Sequence, residues 1–481
     1  MTFTTLTFLI FLPLVFAGHW TLRGSTARNL LLLAASYFFY GWWDPRFAVL
    51  MLGASLVDFA AGLALGATRR PGLRRVILLA SCVCSLGLLG FFKYFGFFAE
   101  NAQALAAAFG VRLSPVTLHV VLPVGISFYT FQTLSYVIDV YRGRLEPTRR
   151  LIEYLAYVSF FPQLVAGPIE RAGHLLPQFA SERRFDPAEA VEGLRFALWG
   201  FFKKLALADN FGALADATYG GLASASGPAL ALATLAFSLQ IYCDFSAYSD
   251  IATGTARLFG IRLMRNFAHP YFSQSVAEFW RRWHISLSSW FADYVYVPLG
   301  GRRATLPRRA ANVMATFALS GLWHGASWNF VVWGVLNGLA VLPETLGEAR
   351  HKGRANATPG GEADGPRPAT LLRVGATFAF TCVAWVLFRT RSLGDAGLVF
   401  AGVIRGPWDR ASLAAAFSGQ GLLVALAMGL LLVEWLTRRH AHPLQLAGWP
   451  RPLRWATYTL LAWVTLALAR EGGGPFIYFQ F

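Results

Sequence analysis

The sequence predicts an all-α polytopic membrane protein. Three observations carry that prediction: 56% of the 481 residues are hydrophobic, only 14% are charged, and the mean hydropathy is positive. The apolar residues also gather into runs long enough to form the heart of a membrane crossing. A spanning helix needs about 20 mostly apolar residues, and tilt or interfacial Trp and Tyr absorb small mismatches.

In chain order those runs are 4–16, 30–43, 47–65, 76–98, 230–243, 371–387, 422–435 and 453–468. With less obvious spans between them, the expectation is about 11 to 13 crossings, and short re-entrant pieces are tolerated where they line a cavity. The first run closes on Val15-Phe16-Ala17, a passable signal-peptide cleavage site, but no Lys or Arg precedes the run. It reads as a retained helix.

The formal net charge is +17, and its distribution decides its meaning. Basic residues sit in short runs between apolar spans: Arg69-Arg70 with Arg74-Arg75, Arg149-Arg150, Arg183-Arg184, Arg302-Arg303 with Arg308-Arg309, and Arg438-Arg439. That is the pattern of cytoplasmic loops under the positive-inside rule. No recognition motif accompanies the charge, so nucleic acid is not an expected partner. If 69–75 is cytoplasmic, the span from Phe47 runs inward and the span from Leu30 outward. Arg23 and Arg28 then also fall on the cytoplasmic side, and Met1 lies outside.

The four cysteines, Cys82, Cys84, Cys243 and Cys382, all lie in apolar sequence without a CxxC pair, and read as small buried hydrophobes. The nine histidines show no metal-ligand spacing such as HExxH, so no metal is expected. The chain reads as one domain over 1–481. Its clearest linker, 351–370, is rich in Gly, Pro, Ala and mixed charge and is expected to be a flexible cytoplasmic loop. A second polar stretch, 180–187, precedes a helix at 188–207. No convincing internal repeat appears.

Five polar tracts interrupt the apolar background. The first, GISFYTFQTLSYVIDVYRG from Gly125, carries Ser127, Thr130, Gln132, Ser135, Tyr136 and Asp139. The second, FFPQLVAGPIER from Phe160, contains Gln163 and Glu170, and its Pro162, Gly167 and Pro168 favour a broken helix. The third, QIYCDFSAYSDIATG from Gln240, holds Asp244, Tyr248 and Asp250. Asp244 and Asp250 are about 600° apart around a helix axis, so they do not share a face and a paired acid/base device is disfavoured.

The fourth tract is the densest: EFWRRWHISLSSWFADYVYVPLGG from Glu278, with His284, Asp293 and Tyr294. Glu278 and Arg282 form an i,i+4 pair in the better orientation. Trp280, Trp283 and Trp290 suit an interfacial belt, so the segment lies along a membrane face or enters and returns. The fifth is SGLWHGASWNF, with Trp323, His324 and Asn329. His324 lies 15 residues beyond Arg309, about 22 Å as helix and past the middle of a bilayer core near 30 Å thick. An ionisable group at that depth is costly, and either fills a hydrogen-bonded structural role or does chemistry.

Taken together, in order, from Pro123 to Asn329, these tracts closely resemble the membrane-bound O-acyltransferase family, in its bacterial alginate O-acetylation branch. WVLFRTRSL near Trp385 and the terminal FIYFQF extend the resemblance. It implies a ring of helices, with re-entrant or interfacial pieces, around a thin polar-lined centre and a tunnel joining the two membrane faces. The histidine matching His324 is the essential catalytic residue of that family, and the one matching His284 a second functional position. Trp323, Trp283, Asp293, Tyr294 and Asn329 are tunnel candidates. So are Gln163, Glu170, Asp244 and Tyr248. Ala292 departs from the family, whose members commonly carry Arg there, leaving any such contact absent or to Arg281 or Arg282.

The resemblance further implies acetyl transfer from acetyl-CoA or another acyl thioester, used as co-substrate with no permanently bound cofactor. The expected setting is the bacterial inner membrane, with a periplasmic polysaccharide such as alginate, or a periplasmic partner transferase, as acceptor. D-alanyl transfer from a cytoplasmic carrier protein is the alternative within the enzyme class. A non-catalytic transporter or flippase is the alternative outside it, and is expected to show repeats or paired broken helices.

Overall fold

A computed structural model describes residues 1–111, 121–350, 368–446, 448–470 and 472–477, with side chains undescribed at 348–350. Of the expected flexible loop 351–370, residues 351–367 lie outside the described residues, as does the end of the FIYFQF tract beyond Ile477. Every regular element among the described residues is helical.

Among the described residues, five helices are long and apolar enough to cross a membrane: Pro45–Ala67, Pro71–Ala108, Gly227–Leu258, Trp328–Gly347 and Pro368–Arg389. The pair Arg410–Phe417 and Gly421–Leu436, bent by 73°, makes a sixth if counted as one span, and Leu6–Thr21 is a shorter apolar helix. The 11 to 13 crossings read from hydropathy are more than length and composition identify here. The run 30–43, for example, falls on the 17-residue helix Ser25–Gly41. An exposed apolar face is legible on Leu6–Thr21, where Leu6, Leu9, Ile10 and Leu14 stay between 54% and 72% exposed while Phe8, Phe11 and Val15 are buried. Without a hydrophobic drive between helices in lipid, packing and interhelical hydrogen bonds must hold them together.

Two compact units divide the chain. The first comprises 1–197 and 249–264. Its core is aromatic, with Tyr129, Tyr136, Tyr154, Tyr157 and Phe160 almost fully buried. Close approach needs a small residue at Gly62, where a Cβ would stand 2.6 Å from the Tyr136 ring. Polar glue appears between Pro45–Ala67 and Pro71–Leu89: the buried Asp58 carboxylate accepts hydrogen bonds from Ser81 Oγ at 2.6 Å and Ser85 Oγ at 3.1 Å. The helix Leu151–Ser159 stops at the Pro162-bearing tract, which is non-helical through Glu170, as its prolines require.

The second unit comprises 198–248 and 265–481. Between residues 265 and 305 it contains only short elements, including the helices Val276–Arg282 and Ile285–Phe291 and a π-helical turn Ala292–Tyr296. Glu278 and Arg282 form the expected ion pair at 2.5 Å. The interfacial-belt reading of the tryptophans needs correction: Trp283 and Trp290 are 2% and 5% exposed. The short helices turn them inward, where Trp283 packs against Phe279 at 5.4 Å and Trp385 at 5.1 Å between ring centroids.

Candidate functional site

Helix Leu306–His324 ends on its histidine. Gly325, in extended conformation, turns the chain, and Trp328–Arg350 runs back along it. Two glycines let these helices touch backbone to backbone. A Cβ on Gly321 would lie 2.1 Å from the Phe330 carbonyl oxygen, and one on Gly334 2.3 Å from that of Phe317. Such small-residue contacts are how membrane helices approach closely. The hairpin thus fixes the end of the helix that carries His324.

The His324 imidazole is 5% exposed. Its ring centroid lies 5.0 Å from Trp323, 5.1 Å from Trp333 and 5.4 Å from Phe388. His284 is fully buried, with its ring centroid 6.5 Å from that of His324 and 4.6 Å from Phe245. It caps Ile285–Phe291 in the left-handed region, with φ 43° and ψ 54°. Only His269 shares that property among the described non-glycine residues. For a residue with a Cβ this backbone is unfavourable by roughly 1–2 kcal/mol. Asn266 holds it there: its carbonyl accepts from Ile285 N at 2.9 Å, and its side-chain oxygen meets His284 Nδ1 at 3.1 Å.

The structure therefore brings together His284, His324, Trp283 and Trp323, which sequence spacing left 40 residues apart. Trp283 joins the cluster through Trp385, which stacks on Trp333 at 5.9 Å. Asn329 stands at the start of the return helix and donates from Nδ2 to the Thr390 carbonyl at 2.9 Å. Asp293 and Tyr294 lie in the π-helical turn, half-buried, with Tyr294 against Trp290 at 5.0 Å.

Asp244 and Tyr248 belong to a different constellation of the same unit. Lys204 Nζ reaches Asp244 Oδ1 at 2.6 Å, Asp209 Oδ1 at 2.9 Å and the Gly474 carbonyl at 3.0 Å. The Ile477 amide donates to Asp244 Oδ2 at 2.6 Å, and Tyr248 packs on Phe476 at 5.1 Å. Gln163 and Glu170 lie in the first unit. Gln163 Nε2 donates to the Tyr157 carbonyl at 2.9 Å, and Glu170 pairs with His174 Nδ1 at 2.7 Å and accepts from the Met264 amide. Arg281 and Arg282, the residues expected to replace an arginine at position 292, pair with Glu344 and Glu278.

Sequence reasoning missed Asn266, Lys204 and Asp209. Lys203-Lys204 inside the apolar FFKKLALA was a visible signal for a buried partner, whereas nothing in the sequence around Asn266 announced it. The first unit also holds a cavity of about 220 Å³ whose wall includes Trp20, Phe185, Glu189, Arg257 and Arg262. Glu189 bridges the two arginines at 3.1 and 2.7 Å. Among the described residues no group of three His, Cys, Asp or Glu is placed to hold a metal.

The model of the membrane-bound O-acyltransferase family matches residues 147–348, a stretch containing both His284 and His324. The probable alginate O-acetylase AlgI of Pseudomonas putida is 37% identical over the full length of both chains. That of Pseudomonas aeruginosa is 39% identical over 91% of this chain and 80% of its own. The peptidoglycan O-acetyltransferase of Helicobacter pylori is 33% identical over 83% of this chain and 79% of its own. The helical fold and these likenesses agree: the chain is an acyltransferase and belongs to the membrane-bound O-acyltransferase family.

Proposed function

We propose that this acyltransferase moves an acetyl group from a cytoplasmic thioester, acetyl-CoA in the first instance, to a hydroxyl of an extracytoplasmic polysaccharide such as alginate, directly or through a periplasmic partner transferase. The observation that carries this reading is the buried His324 imidazole at the end of the helix Leu306–His324, enclosed by aromatic rings, with the buried His284 imidazole 6.5 Å away between ring centroids. Likeness to the alginate O-acetylases over the full chain favours acetyl and polysaccharide over D-alanyl transfer. The proposed setting is the bacterial inner membrane, with the N-terminus outside; the distribution of basic loops supports that orientation.

His324 acts as general base. Neutral imidazole takes the proton from the attacking hydroxyl as its oxygen bonds to the thioester carbon. The tetrahedral intermediate collapses, the C–S bond breaks, and the departing thiolate takes that proton back. Trp323, Trp333 and Phe388 exclude water and suppress hydrolysis of the thioester. Asn329, Asp244, Gln163 and Glu170 have hydrogen bonds committed to the protein and serve as framework.

The test is ester-linked acetate on the host's extracellular polysaccharide, comparing wild type with His324→Ala at matched membrane abundance. Loss of acetate is the expected result. Unchanged acetate, in a host whose level falls when the whole gene is deleted, would remove His324 from the chemistry.

A further inference from the structure

The Asn266 side chain fixes a proton. Its Oδ1 lies 3.3 Å from the Ser286 amide nitrogen and 2.9 Å from Ser286 Oγ. A backbone N–H only donates, so the atom facing it is the amide oxygen rather than the nitrogen. That oxygen is also 3.1 Å from His284 Nδ1; Ser286 Oγ, the other polar atom near Nδ1 at 3.4 Å, gives its proton to the same Asn266 oxygen in the shorter contact. An amide oxygen carries no proton. Nδ1 must therefore bear it, since otherwise two lone pairs would face each other at that distance. A neutral imidazole protonated at Nδ1 has its lone pair on Nε2. Backbone and side chain agree on this aim, because the left-handed φ of His284 is held by the Ile285 hydrogen bond to the Asn266 carbonyl. Strain of that kind persists where the surroundings over-determine it.

We infer that Asn266 is a positioning residue: it holds His284 as a hydrogen-bond acceptor that meets an O–H group of the acceptor sugar. This rests on the acyl-transfer reading above. The charge that develops on the acyl oxygen needs a donor, and neutral His284 offers none at Nε2. The reacting hydroxyl gives its single proton to His324. The group at His284 is accordingly a second hydroxyl of the same acceptor, of which a sugar polymer has several. His284 then selects and orients the acceptor and leaves the thioester to other groups.

Of the titratable and charged groups on elements packed around His284, His324 faces it at 6.5 Å between ring centroids. Asp244 points to Lys204, and Glu278 pairs with Arg282. A carboxylate placed at Asn266 is therefore the nearest negative charge His284 would feel.

The experiment measures acetyl transfer from acetyl-CoA to an alginate oligosaccharide by membrane vesicles carrying the full chain. Asn266→Leu is expected to raise KM for the oligosaccharide about tenfold, the worth of roughly one hydrogen bond, with KM for acetyl-CoA unchanged. Asn266→Asp still accepts from Nδ1–H and restores the oligosaccharide KM. Its charge favours the imidazolium and moves the acidic limb of the pH–rate profile up by about one unit. A purely structural role shifts neither the KM split nor the limb. If Asn266→Leu does not fold, the Asn266→Asp profile decides. A rise in KM for acetyl-CoA alone, or an unmoved acidic limb in Asn266→Asp, overturns the inference while wild type remains active. Wild-type vesicles that transfer no acetyl overturn the acyl-transfer reading on this acceptor, and this inference with it.

Discussion

Replacing Gly321 by Ala tests whether the helix hairpin sets the position of His324. The new methyl would stand 2.1 Å from the Phe330 carbonyl oxygen, where ordinary contact begins at 3.4 Å. The shortfall is about 1.3 Å, and the obstacle is backbone, so no rotamer relieves it. The helices must part by about that distance. His324 is one helical turn further along, so its ring moves with the separation. Displacement of a reacting group by about 1 Å costs on the order of 10²-fold in rate, and overpacking costs about 1–3 kcal/mol of stability. The assay is acetate transferred per unit of membrane-inserted protein, alongside thermal unfolding in detergent. Gly347→Ala is the control on the return helix, since among the described residues a Cβ there meets nothing within 4 Å. It should retain the wild-type rate and melting temperature. A Gly321→Ala chain with wild-type rate and melting temperature would refute the claim that this contact positions the imidazole.

Lys204→Met leaves the Asp209 and Asp244 carboxylates, 7% and 4% exposed at the side chain, without their cation. Removing one partner of a buried ion pair costs about 3–5 kcal/mol, so the melting temperature in detergent should fall clearly. Adding Asp209→Asn and Asp244→Asn should recover part of the loss, and no recovery would show that charge is not the cause. In the first unit, the hydrogen bond His174 donates to the Glu170 carboxylate raises the imidazole pKa above its ordinary value, against a smaller opposing effect of burial, and the Glu170 charge adds to it. A raised folded value means the contribution to stability is full below the unfolded value near 6.5 and fades as pH rises through the folded one. The melting-temperature gap between wild type and His174→Gln should thus be wider at pH 6 than at pH 9. With His174 48% exposed, its energy is below about 1 kcal/mol. A gap that widens with pH would contradict the pairing.

What was legible in the sequence follows from the range of the forces involved. The long apolar helices answer to local composition, so Pro45–Ala67 and Pro368–Arg389 enclose the runs 47–65 and 371–387. Pro162 and Pro168 act on their own backbone, and the chain is non-helical where they stand. The candidate histidines were visible because an imidazole in apolar sequence is costly wherever the fold takes it. Their partners were not. Asn266 lies 18 residues before His284, and Gly474 lies 270 after Lys204; no periodicity connects residues over such distances. Trp283 and Trp290 show a related failure. A tryptophan beside charged residues reads as interfacial, and only the tertiary packing of two short helices turns these inward.

The buried charges of the second unit also set a clock on its making. Lys204 can meet Asp244 once residue 244 has been synthesised, but the Gly474 carbonyl and Ile477 amide arrive more than 200 residues later. At 5–20 residues per second that is roughly 10–50 seconds of translation. During that interval two carboxylates and an ammonium wait in or beside the bilayer with an incomplete set of hydrogen bonds. Unmet polar groups there are expensive, so this part of the unit is less stable until the last partners are in place. Arrival of 472–477 supplies the two missing backbone partners and completes the set.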